Sequence, residues 1–149
     1  MSDLFDALAA RPELARTLAA HVRELSTGAV PQRTKELIAL MVGWLNACEY
    51  CTCVHEEIAR NLGVDEATLA ALGDFATSGR FSDAERAALQ ATVALTREPR
   101  ALPPAVWEAL RVNYDEAGCV EVLAAIGLNN YLSRVSNALS LRAPSSAPL

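Results

Sequence analysis

The sequence predicts an all-α fold, a compact helical bundle, on three observations. Its apolar fraction is 52% and rests on alanine and leucine, both strong helix formers, while aromatic residues make up only 5%. Alternating runs rich in Val, Ile and Thr, which half-buried strands need, do not occur. Apolar positions recur instead at helical spacing from end to end. At 149 residues the chain has the length of one domain, assigned to residues 1–142, able to bury about two-thirds of the surface its unfolded form exposes. Residues 143–149, with proline and serine and little apolar material, are expected to form a loose C-terminal tail.

Breaks in the helical pattern fall at Arg11-Pro12, Gly28 to Pro31, Gly63, Gly73 to Gly79, Glu98 to Pro104 and Tyr114. Between Pro31 and about Ala47, a helix places Leu37, Leu40, Met41, Trp44 and Leu45 at helical spacing, with Arg33, Lys35 and Glu36 at its polar start. Met41 and Trp44 read as core. The next helix should run from near Cys48 to near Leu62, because Gly63 suits a helix C-terminus. Ser82 with Glu85 reads as a capping box opening a helix to about Arg97. Pro103 suits a first helical position, and Trp107 would pack that short helix onto the core.

The last helix, from about Asp115 to Leu139, is apolar almost all round between Cys119 and Leu128, where Glu121 is the single charge. A helix without a polar face is buried on more than one side. It therefore belongs at the centre of the bundle or beneath another subunit, and an oligomer is expected. Asn130 and Arg134, one turn apart on this helix, must find hydrogen bonds across a subunit interface or toward the thiols described next. His21, among charged residues, reads as a surface residue.

The net charge is −5, and the 13 Lys and Arg residues are scattered, so no patch tracks phosphates and nucleic acid is excluded as a partner. The longest apolar run, Leu37 to Leu45, is too short to span a bilayer. Met1 to Ala10 carries two aspartates where a signal peptide would be positive. A cytoplasmic protein without a membrane partner is expected.

Chemistry concentrates between Glu36 and His55. Three of the four cysteines, Cys48, Cys51 and Cys53, lie within six positions, too close together to staple distant segments. On a helix, Cys48, Cys51 and His55 share one side, whereas Cys53 is rotated away and reads, like Cys119, as a small buried hydrophobe. Two thiols three residues apart in a first helical turn can close a disulfide. The helix N-terminus favours a thiolate, Cys48 most of all. His55, one turn beyond Cys51, can take a proton from that thiol, which favours Cys51 as nucleophile. The two arguments select different cysteines.

Glu36 lies on the preceding helix, and if the two helices pack antiparallel its carboxylate can hold the imidazole or a cysteine. Tyr50, between the cysteines, either positions a substrate or packs as an aromatic wall. A structural zinc site would draw on Cys48, Cys51, His55 and either Glu36 or Cys53. Three ligands on one helix make an unusual zinc site, and a domain of this size folds without metal, so no metal or cofactor is assigned. A redox-sensing or assembly module that consumes no substrate is the alternative from another class.

The spacing of Glu36, Cys48, Cys51 and His55, the run NACEYCTCVH from Asn46 to His55, Gly63-Val64, and NYLSRV from Asn130 to Val135 together resemble the carboxymuconolactone decarboxylase superfamily. Within it, the match is to the alkylhydroperoxidase AhpD-like branch. The resemblance implies a helical fold assembled as a homotrimer or homohexamer, acting as a thiol peroxidase or disulfide reductase without a bound cofactor. Carried over, Cys51 attacks a hydroperoxide, Cys48 resolves, and His55 with Glu36 relays protons. The implied partners are a dithiol reductant such as a lipoyl-bearing protein, and a peroxiredoxin downstream. The family's best-known peroxidase has a histidine just before its second cysteine, where this chain has Tyr50. Lactone decarboxylation is a poor second choice, because that branch is not characterised by this cysteine pair.

Overall fold

A computed structural model describes residues 4–98 and 100–142. The expected tail at 143–149 lies outside the described residues. Those residues form helices α1 (Leu4–Leu8), α2 (Pro12–Ser26), α3 (Gln32–Leu45), α4 (Glu49–Asn61), α5 (Glu66–Ala70), α6 (Asp83–Arg97), α7 (Pro104–Asn113) and α8 (Glu116–Ala138), with a 3-10 turn at Ala71–Asp74 after α5. Among the described residues there is no strand.

The helix enclosed by the others is α3, which packs against α4, α6 and α8 and is buried continuously from Thr34 to Gly43. One side of it, Ile38 and Val42, faces a core with Ala88, Ala91, Leu110, Val122 and Ile126 from α6, α7 and α8. Another side, Leu37, Leu40 and Met41, meets Ala59, Val64, Leu72, Phe81 and Leu89. A smaller cluster of Leu4, Leu8 and Leu18 closes α1 and α2 over Tyr50 and the end of α8.

Since α3 takes the centre of the bundle, α8 does not occupy the first of the two places expected for it. It buries Cys119, Val122, Ala125 and Ile126 but leaves Val120 and Tyr131 exposed. The start of α3 is polar in sequence, with Arg33, Lys35 and Glu36. In the fold, Lys35 and Glu36 are buried because each finds a partner inside the protein, so polarity did not mark the surface.

Local signals account for most helix ends. Gly63 sits at φ +84°, and the N–H groups of Gly63 and Val64 reach back to the carbonyls of Arg60 and Ala59, closing α4 in a Schellman motif. Pro103 is the N-cap of α7 and Pro104 takes its first position, one residue later than expected. Trp107 on α7 is only partly covered, 37% exposed, since its ring lies at the bundle edge.

The Ser82–Glu85 capping box opens α6, with the Glu85 N–H donating to Ser82 Oγ at 3.2 Å and the Ser82 N–H to Glu85 Oε2 at 2.8 Å. Glu85 also receives Arg33 Nε at 2.7 Å, which ties the start of α6 to α3. Ser82→Ala removes one half of the box, and a loss of about 1 kcal/mol in urea unfolding is expected.

Candidate active site

The sequence between α3 and α4 is only three residues, Asn46, Ala47 and Cys48, so the two helices fold back on one another as a hairpin. Glu36 near the start of α3 then meets His55 on α4, while Gly43 near its end faces Cys51 and Thr52. Cys48 is the N-cap of α4, and its sulfur accepts the N–H of Cys51 at 3.3 Å. The structure joins Cys48 and Cys51 as a disulfide with a Cα–Cα distance of 5.3 Å, inside the ordinary range for such bonds.

His55 Nδ1 lies 2.7 Å from Glu36 Oε2, and Gln32 Nε2 donates to Glu36 Oε1 at 2.7 Å. Both carboxylate oxygens are thus engaged, and the imidazole is held through one nitrogen, leaving Nε2 as the nitrogen able to exchange a proton. Glu36 is only 5% exposed. A buried carboxylate requires such partners.

Tyr50 points away from this cluster. Its hydroxyl accepts the backbone N–H of Leu4 at 3.2 Å, and its ring packs with Leu4, Leu8 and Leu18. Cys53, expected to be buried, is partly exposed and free. It lines a groove of about 450 Å³ with Trp44, Ala47, Cys48, Glu49 and Thr52. Cys119 is buried and its thiol donates to the Tyr114 carbonyl at 3.7 Å; burial pushes its pKa above the usual thiol range.

Trp44 corrects another expectation, for it is 58% exposed rather than core. It continues the stripe of Leu37 and Leu40, but near the end of α3 its ring borders an open groove with Thr52, Glu56, Leu69 and Gly73. Helical spacing identified its face and not where the core ends.

Sequence reasoning did not foresee the turn that carries Cys48. The Cys48 N–H reaches the Gly43 carbonyl at 2.8 Å and the Ala47 N–H reaches that of Trp44 at 3.1 Å, a Schellman closure whose left-handed seat is Ala47, at φ +50°. Glycine usually fills that seat, and a side chain there costs about 1 kcal/mol. Around it, Asn46 Nδ2 donates to Asn130 Oδ1 at 3.0 Å and to Ser133 Oγ at 2.7 Å, and Asn130 Nδ2 donates to Thr96 Oγ1 at 3.0 Å. Of the two residues expected to find hydrogen bonds across an interface or toward the thiols, Asn130 turns inward to the turn that carries Cys48, while Arg134 is exposed beside an apolar groove on α8.

The zinc set is not assembled. The two sulfurs are bonded to each other, and among the described residues no group of three or more His, Cys, Asp or Glu side chains could hold a metal ion. No helix among them is long and apolar enough to cross a membrane.

The sequence profile of the carboxymuconolactone decarboxylase family matches residues 12–94, which contain Glu36, Cys48, Cys51 and His55. The chain belongs to that family. A family relative, the uncharacterized protein YdfG of Bacillus subtilis (strain 168), is 30% identical over 117 residues, covering 78% of this chain and 80% of YdfG. A crystal structure of a protein of unknown function from Agrobacterium tumefaciens, named as a candidate antioxidant defence protein AhpD, superposes with a TM-score of 0.87. It shares 23% identity, with coverage of 94% of this chain and 97% of that one. The debrominase Bmp8 has the same fold, with a TM-score of 0.80, 24% identity and coverage of 93% and 74%. The carboxymuconolactone decarboxylase fold of this chain is thus of the AhpD-like type, and one such fold hosts more than one activity.

Proposed function

We propose that the protein is an AhpD-like thiol oxidoreductase, a peroxidase or disulfide reductase whose Cys48 and Cys51 cycle between dithiol and disulfide. The observation that carries the reading is the Cys48–Cys51 bond at the start of α4, with the Glu36–His55 pair one helical turn further along. A bystander cysteine pair has no use for a buried carboxylate and imidazole held at 2.7 Å.

In the proposed cycle the Cys51 thiolate attacks the outer oxygen of a hydroperoxide. The O–O bond breaks, the alkoxide takes a proton by way of His55, and Cys51 becomes a sulfenic acid. Cys48 then attacks that sulfur, closing the disulfide and releasing water. An external dithiol, such as a lipoyl group on a partner protein, restores both thiols and is itself oxidised to a disulfide. A peroxiredoxin is the proposed downstream partner, and a cytoplasmic homotrimer or homohexamer the proposed working form. The open apolar groove on α8, of about 660 Å³, supports assembly through that helix.

Peptide mass spectrometry on reduced protein, sampled over seconds after one equivalent of an organic hydroperoxide, tests the proposal. A Cys48–Cys51 disulfide should form first, with Cys53 and Cys119 still free. The burial that raises the Cys119 pKa keeps it a thiol at neutral pH. Slow, indiscriminate oxidation of all four cysteines would count against the assignment.

A further inference from the structure

Cys48 belongs to two helices at once. It is the last residue of the Schellman closure of α3 and the N-cap of α4, so the position of its sulfur depends on the turn at Asn46 and Ala47. That turn contains a left-handed alanine, a conformation its own sequence does not favour. Contacts from elsewhere must hold it.

Those contacts come from α8, 84 to 91 residues further along the chain, and converge on Asn46. Its amide nitrogen donates to Asn130 and Ser133, which are 8% and 1% exposed, and its backbone carbonyl accepts Asn137 Nδ2 at 2.9 Å. Asn130 is in turn fixed by Thr96 on α6 and by the Ile126 carbonyl. The residue before the strained position is thereby gripped at both side chain and main chain.

We propose that Asn46, latched to α8 through Asn130, Ser133 and Asn137, is a positioning residue that sets the reduction potential of the Cys48–Cys51 pair. By holding Ala47 left-handed, the latch keeps Cys48 beside Cys51 in the dithiol form too. Closing the disulfide then costs little conformational entropy, and the oxidised form is favoured. Releasing the latch lets the turn relax and Cys48 move off, so the dithiol gains. This inference rests on the redox reading above but not on any particular substrate.

The test is equilibration in glutathione redox buffers, where the two protein thiols and one oxidised glutathione exchange with the protein disulfide and two reduced glutathiones. The fraction oxidised is read by mass spectrometry after acid quenching. Asn46→Ala should lower the equilibrium constant about tenfold, a potential about 30 mV less negative. Asn137→Ala, an exposed residue whose loss leaves the core intact, should lower it about threefold and serves if the first variant folds poorly.

Glycine at 47 adopts the left-handed conformation without help, so the latch should matter less there. In an Ala47→Gly background, Asn46→Ala should shift the constant by less than threefold. Constants within twofold of wild type in both single variants would overturn the latch while leaving the redox pair standing. An equal tenfold shift in both backgrounds would show that the latch does not act through Ala47, and would overturn it as well. A wild-type pair that never closes in glutathione would overturn the redox reading and the latch together.

Discussion

Cys51→Ser should reduce hydroperoxide turnover by at least about a thousandfold, because a serine hydroxyl at neutral pH supplies almost none of the anion that attacks the O–O bond. Cys48→Ser should behave differently. It should consume one equivalent of hydroperoxide and stop, leaving a sulfenic acid on Cys51 with no partner to condense with. Single-turnover kinetics with a sulfenic-acid trap distinguish the two variants. Two physical arguments compete here, and the experiment decides between them. The Cys51 N–H donates to the Cys48 sulfur at 3.3 Å, which would stabilise a Cys48 thiolate. Cys51, in contrast, lies one turn before the imidazole that Glu36 holds. If Cys48→Ser is the variant that fails to react at all, the helix N-terminus outweighs the imidazole and the roles are exchanged.

The largest expected loss of stability comes from Glu121→Ala, far from the sulfurs. Lys35 Nζ lies 2.6 Å from Glu121 Oε1, with side chains only 7% and 13% exposed. The same carboxylate accepts the N–H groups of Ala29 at 2.9 Å and Val30 at 3.3 Å, fixing the loop that enters α3. The close fit reaches Gly28, where an added Cβ would fall 2.1 Å from Glu121 Oε1.

Removing the carboxylate strands a buried ammonium, leaving it only the Leu25 carbonyl, and orphans two amides. A loss of about 3–5 kcal/mol is expected in urea unfolding at unchanged slope. The double variant Lys35→Met, Glu121→Leu should recover much of it, because two apolar side chains leave no charge to satisfy. A loss below about 1 kcal/mol for Glu121→Ala would mean that water reaches the ammonium and that the loop is held by other contacts.

The same residues show how far a sequence can be read. Helix composition, the Ser82–Glu85 box, Gly63 and the spacing from Glu36 to His55 are local: each depends on residues within a turn or two, or on one short helical hairpin. The sequence by itself therefore determined the all-α class, the bounds of α3, α4, α6 and α8 to within about two residues, and the family. It also marked out the residues that the hairpin brings together. Burial is not local. Whether Glu121 or Lys35 is solvated, whether Trp44 is core or rim, and whether Cys53 opens to a groove depend on which helices lie alongside, and helical periodicity reports a face without its neighbours. Only the tertiary structure placed α3, not α8, at the centre of the bundle, and only it tied Asn46 to Asn130 across 84 residues. A left-handed alanine before Cys48 leaves no signature in its own sequence, because the contacts that hold it there are made by another helix.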